Sequence, residues 1–422
     1  MKLIADIERE RYESFVREHP SKSHFMQSAA WGDFSAKSKG LEARLIGIES
    51  AEGELRAAAL LLGRKPPLFP KYYYCPRGPV LDYGDGELLA ETIALLKEFA
   101  EDEGAMFLKF DPDIVLFEHT GSGALELGGG AILEQLKALG CVHHGFNKEF
   151  EGRQPRYTFR IDLSSSDEEI DRRIVGNVLK NVKKSRRYAC EVAKGASADI
   201  PKLHELISIT SERDDFVGYP ESYYRDFFDT LSANGMAALW LGRVDPAASV
   251  EMLKEELAAL LEKRKQLKKE GPLKESELSE ARLLREIAAF ESYAREFPKG
   301  AVVSAHLVVN YGDKAWAVHA GSDTKMSETF INNRVYYEKI HAAKAAGARL
   351  LDQFGTVGDP ENSSLKSLHE FKKQFGGRYL EFIGEFDIAV KPCWHLVYER
   401  ALPLYRRARI GLKLALRGRK GE

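Results

Sequence analysis

Apolar positions fall in short strand-like blocks over the first 160 residues and again after residue 300, and between these regions lies a stretch with a helical period. Ala43–Glu49 and Leu55–Leu62 are two such blocks, joined across Ala51-Glu52-Gly53, and they predict a hairpin. Tyr72–Tyr83 reads as a third strand, broken by Pro76 and Pro79 into a stiff loop that holds Arg77. Residues 1–20 read as a strand and a helix, and Ser28 caps a second helix that places Trp31 and Phe34 on one face. A helix over about 86–103 leads into the strand Met106–Pro112, so the alternation predicts a mixed α/β domain ending near residue 150.

A second α/β unit opens with the strand Tyr157–Leu163, followed by a helix whose start, Ser164-Ser-Ser-Asp-Glu-Glu169, runs on into Lys180–Arg187. Short strands at Cys190–Ala193 and Ala237–Arg243 bracket helices over about 200–213 and 220–232. Residues 249–297 then change character. They are helix formers with heavy charge, in which Leu253, Leu257 and Leu260, and later Leu283, Ile287 and Phe290, step by threes and fours. Gly271-Pro272 interrupts the run, which predicts an antiparallel coiled-coil arm inserted between two paired strands, Ala237–Arg243 and Val302–Asn310. Beyond the arm come the strand Lys314–Ser322, a helix Val335–Ala346, a short amphipathic helix over Leu365–Phe375 stopped by Gly376-Gly377, and a last strand Glu381–Val390. The chain ends in a basic amphipathic helix.

Composition narrows the class. A 44% hydrophobic content over 422 residues supplies two or three cores, and the formal charge of -2 says that partners must be sought in local patches. Cys75, Cys141, Cys190 and Cys393 show no metal-binding spacing, which suits a reducing cytoplasm, and no metal or cofactor is expected. No run approaches the ~18 apolar residues of a membrane span.

Two patches are strongly basic. Lys180, Lys183, Lys184, Arg186 and Arg187 crowd into eight residues, either as a solvated helix face or as a site for phosphates. The terminal helix carries Arg406, Arg407, Arg409, Lys413, Arg417, Arg419 and Lys420 among Ile410, Leu412, Leu414 and Leu416; it is either a capping helix with a basic tail or an interfacial segment at an anionic membrane. The arm, by contrast, holds ten basic and eleven acidic residues between Val250 and Phe297, so charge alone gives it no affinity for nucleic acid. Phe371 and Lys372 stand side by side on the short amphipathic helix, where a lysine is either a solvated charge or a functional one.

With these segments in place the sequence resembles the FemABX family of tRNA-dependent aminoacyl ligases that build the peptide side branches of peptidoglycan. The pieces that carry the resemblance are Phe25–Phe34, Pro76–Asp82, Leu108–Pro112, the Lys180–Arg187 run, Glu212-Arg213, His319–Ser322 and Ser367–Gly377, together with the inserted arm. It implies two GNAT-like (acyl-CoA N-acyltransferase-like) domains, 1–150 plus 381–422 and 151–380, with the arm 249–297 in the second. It also implies acyl transfer from aminoacyl-tRNA to an amine on the stem of a peptidoglycan precursor, lipid II or its soluble nucleotide form. Lys372 then stabilises the oxyanion and Phe371 lines the channel. Trp31, Arg77, Asp111, Arg213 and His319 bind the precursor, Ser35 or Lys37 takes a phosphate where relatives carry a lysine, and the Lys180–Arg187 cations hold tRNA. His319 stands where relatives can carry a tyrosine. The rival readings are a GNAT-like transferase with another acyl donor, for which Gly355–Gly358 is only a weak pyrophosphate loop, and a non-enzymatic cell-wall scaffold.

Overall fold

The structure, a computed structural model, describes residues 1–400 except Asp215. The terminal basic helix expected from the sequence lies outside the described residues. The chain divides into two units, Met1–Tyr157 with the chain from Leu380 onward, and Thr158–Tyr379.

In the first unit the strands Lys2–Ala5, Glu42–Glu49, Leu55–Arg64, Tyr72–Cys75, Phe107–Phe110, Phe386–Ala389 and Val142–His143 lie in that order across one sheet. Glu42–Glu49 and Leu55–Arg64 form the expected hairpin, with Leu45 opposite Leu60. Tyr72–Cys75 runs parallel to Phe107–Phe110, and their crossover is the helix Gly86–Asp102, which buries Leu88, Leu89, Ile93 and Leu96. The last strand is not continuous. It splits into Arg378–Phe382 and Phe386–Ala389, because Gly384 takes a left-handed φ of 96° that a side chain resists.

In the second unit Cys190–Gly195, Ala237–Val244, Ala301–Tyr311, Lys314–Ser322, Leu350–Asp352 and Tyr157–Asp162 follow one another across the sheet. The step from Lys314–Ser322 to Leu350–Asp352 is parallel and is spanned by the helix Ile331–Ala345. Gly321 allows the helix Ile200–Arg213 to lie directly on this sheet: a Cβ there would meet the Ile207 amide nitrogen at 2.4 Å. The helix expected to run unbroken into the basic stretch is two, Asp167–Arg173 and Gly176–Ser185. Between them the Val175 amide donates to the Gln374 carbonyl at 2.9 Å, a bond that leaves the helical ladder.

The arm consists of the helices Pro246–Arg264 and Glu270–Glu296. The chain reverses at 265–269, not at Gly271-Pro272. Pro272 falls inside the first turn of the second helix, where a missing N–H costs nothing. Leu253, Leu283, Ile287 and Phe290 pack at the base of the arm with Tyr188 and Val244, and Lys254 pairs with Glu291 across the two helices at 3.6 Å. The strands that enter and leave the arm pair antiparallel, with Trp240 opposite His306.

Candidate active site

In the second unit, the strand Leu350–Asp352 ends on a carboxylate that organises the turn after it. Asp352 accepts from Thr158 Oγ1 at 2.5 Å, from Arg160 Nε at 2.8 Å and from the Phe354 amide at 2.8 Å. That last bond holds Phe354 in a left-handed conformation, φ 55°, and turns the carbonyls of Phe354 and Gly355 toward the helix Lys366–Lys373. Lys372 Nζ donates to both, at 2.5 and 2.7 Å. Burial pulls this ammonium down to about 8, and the charge of Asp352 opposes the pull. An ammonium has three protons, and the two carbonyls use two of them.

The wall beside the amine is aromatic. The Phe371 ring meets Tyr336 edge-on at 5.2 Å and Phe375 at 5.2 Å, while Tyr336 and Phe375 stack at 4.3 Å. The next lysine behaves differently: Lys373 is exposed and leans on Glu370 at 3.7 Å. Gly376, φ 75°, stops the helix where a Cβ would strike the backbone of Arg173.

Behind this wall lies a group that sequence reasoning missed. Lys339 is fully buried on the helix Ile331–Ala345, its Nζ 3.0 Å from His306 Nδ1 and 3.2 Å from the centroid of the Tyr336 ring. His306 Nε2 in turn lies 2.9 Å from Asn332 Oδ1 and 3.1 Å from Ser304 Oγ. Burial, and secondarily the charge of Lys372, hold Lys339 well below the usual lysine range; burial likewise lowers His306. The signal was present in the sequence, since Val335, Tyr336, Lys339, Ile340 and Ala343 form one helical stripe with a lysine in an apolar position.

In the first unit the loop at Arg77 is pinned on both sides. The Arg77 amide donates to Asp111 Oδ1 at 2.8 Å, and Tyr74 Oη donates to the same carboxylate at 3.1 Å. Gln27 Nε2 donates to the Pro76 carbonyl at 2.6 Å while its Oε1 accepts from the Leu60 amide at 2.8 Å. Arg77 is left-handed at φ 56°, and its guanidinium donates to the Pro155 carbonyl and lies over the Phe382 ring. Burial lifts Asp111 to about 7, against the opposing charge of Arg77. These two residues lie in direct contact in the first unit.

The other expected ligands are placed less simply. Trp31 is buried against Phe25 and Phe34, and Ser35 is completely enclosed. Lys37 is exposed on the same helix, but it is Lys39 whose ammonium lies over the Trp31 and Phe34 rings, at 5.4 and 5.3 Å. His319 sits among Tyr219, Tyr223, Tyr224 and Phe227, ring centres 5.2–6.2 Å away. Arg213 ends the helix Ile200–Arg213 and chelates its neighbour Asp214 at 2.9 and 3.1 Å. The basic run divides. Lys180, Lys183, Lys184 and Arg186 are exposed, whereas Arg187 binds Glu256 at 2.8 Å and Glu286 at 3.3 Å on the arm. Arg187 thus ties the basic run to the arm.

Two mixed α/β units, one presenting an enclosed lysine amine beside an aromatic wall, form a fold shared with a solved protein. The crystal structure of FemX superposes with a TM-score of 0.77 at 28% identity, covering 94% of this chain and 100% of that one. The FemAB family model matches residues 7–401, and the chain belongs to that family. Its curated relatives include the lipid II:glycine glycyltransferases of Staphylococcus aureus strains USA300 and NCTC 8325 / PS 47. Each is 28% identical over 430 residues, with 97% of this chain and 98% of the relative covered.

Proposed function

We propose that the protein is an aminoacyltransferase that moves an amino acid from aminoacyl-tRNA to an amine on the peptide stem of a peptidoglycan precursor, with lipid II as acceptor and glycine as the first amino acid to test. Membership of the FemAB family over nearly the whole chain carries the reading, together with the name of its staphylococcal relatives. The ester of an aminoacyl-tRNA is already activated. The acceptor nitrogen attacks the ester carbonyl carbon, the C–O bond to the ribose breaks as the amide forms, and the nitrogen's proton ends on the ribose hydroxyl.

Lys372 suits the charge that develops. Two carbonyls fix its ammonium, and its third proton is available to an oxyanion without any reorganisation at the moment of reaction. Phe371 supports the aromatic side of that channel. Arg77 and Asp111 are fixed on the first unit as precursor contacts, and the exposed Lys180, Lys183, Lys184 and Arg186 suit the tRNA backbone. The described residues include no helix long and apolar enough to cross a membrane.

The test is to supply the full chain with radiolabelled aminoacyl-tRNAs and either lipid II or its soluble nucleotide precursor, and to follow label into the muropeptide. Transfer is expected, with glycine leading. No transfer from any pairing refutes the assignment.

A further inference from the structure

Beyond the transfer reaction, we infer that the first unit carries a membrane-docking face for anionic lipid, built by the loop 64–71 and the helix 392–400. The loop Arg64-Lys-Pro-Pro-Leu-Phe-Pro-Lys71 has three prolines and no acid. Leu68, at its tip, is 95% exposed and left-handed at φ 67°. A leucine in that conformation is strained and gains nothing here from packing, so local structure does not account for it. The prolines stiffen the loop in this outward position before any partner arrives.

The helix 392–400 completes the patch. It turns His395 and Tyr398 inward and leaves Trp394, Leu396 and Val397 outward at 44%, 51% and 50% exposure. Phe69 joins the two elements, its ring 6.1 Å from Trp394 and 5.3 Å from Tyr398. An exposed tryptophan and leucines in one patch are what an interfacial surface needs to enter the headgroup region.

Charge chooses the occupant. Arg64, Lys65 and Arg400 are exposed around the patch, and the only acid within either segment is Glu399, half-buried toward His144 at 3.6 Å. The sequence continues directly from Arg400 into the stretch with seven cations from Arg406 to Lys420. Apolar side chains rimmed by cations and continued in sequence by more cations complement an anionic bilayer, whose surface attracts nearby Lys and Arg side chains. The same face brings a transferase to a lipid-linked acceptor.

The experiment is co-sedimentation of the full chain with vesicles of phosphatidylcholine alone, and of phosphatidylcholine mixed equally with phosphatidylglycerol. Preferential binding to the anionic vesicles is expected, weakening with salt and falling about tenfold or more in Leu68→Asp, which removes no internal contact. Trp394→Ala gives a second reading, and quenching of Trp394 fluorescence by brominated lipid, absent in Trp394→Phe, gives a third. A chain ended after Leu404 is expected to bind less but to keep its dependence on Leu68. The inference is overturned if Leu68→Asp and Trp394→Ala bind as the unaltered protein does, since the terminal stretch then acts alone. It is equally overturned by absence of binding to both vesicles, or by a lipid-free self-association that Leu68→Asp abolishes, which makes a second copy the occupant. Leu68→Asp is also expected to slow transfer to vesicle-borne lipid II while leaving transfer to the soluble precursor unchanged. Failure of the docking face is thus separable from failure of the transferase reading.

Discussion

Lys372 combines two properties that usually exclude each other: an enclosed amine and a retained proton. With its acidity near 8 the group is mostly protonated at neutral pH, and two backbone carbonyls fix its direction. Lys372→Ala is expected to lower kcat by about 10²–10³ with KM changed little, because the interaction strengthens only as the oxyanion forms. The unaltered enzyme is expected to lose activity above about pH 8 as the ammonium deprotonates, a limb that steady-state rates across pH will show. An unchanged kcat in the variant removes the role. Asp111 offers a stability test of the other site. Its folded acidity, about 7, lies above the ordinary carboxyl value of 3.8, so the folded state binds the extra proton between these limits. Stability from this group is therefore present at low pH and is lost as pH rises from about 4 to 7. Asp111→Asn keeps an acceptor for the Arg77 amide, and it is expected to flatten that slope in urea melts.

Among the elements, the helix Ile331–Ala345 carries the clearest conflict between stability and chemistry. Lys339 is buried with a histidine and an aromatic ring for company, where a methionine of similar length would avoid desolvating an amine. Lys339→Met is expected to raise stability at neutral pH by about 1–2 kcal/mol. It is also expected to abolish the rise in stability that the unaltered protein gains with pH, up to the ordinary lysine value of 10.5, as the unfolded chain alone keeps its proton. A fall in stability instead marks the lysine as a structural tie. Much of this architecture was legible in advance, because strand alternation, the Ser28 cap and the helical stripes of the arm are local signals. The break at Ile174-Val175 and the split at Gly384 were not, since each depends on a partner or a backbone angle that no periodicity records. Ser35 stands where relatives carry a lysine, and that position in the sequence does not record that the fold encloses its side chain completely.

Across the molecule, a net charge of -2 hides how charge is used. The arm is nearly neutral, and its acids act at close range: Glu256 and Glu286 take Arg187 out of the basic run. Spacing alone placed all five cations of that run together, and only the return of the arm distinguishes the anchor from the exposed four. This division makes a quantitative prediction for tRNA. Each cation that meets a phosphate releases a counterion, so the logarithm of the binding constant falls with the logarithm of salt by about 0.7–0.9 per contact. Replacing Lys180, Lys183, Lys184 and Arg186 together by alanine is expected to reduce that slope by about 3, with affinity converging on that of the unaltered protein at high salt. Arg187→Ala is expected to leave the slope unchanged while increasing hydrogen exchange at the base of the arm, near Leu253 and Phe290. Filter binding over a salt series separates the two classes. If Arg187→Ala lowers the slope as much as each of the other four does, its pairing with the arm gives way when RNA binds, and the whole run acts as one electrostatic surface.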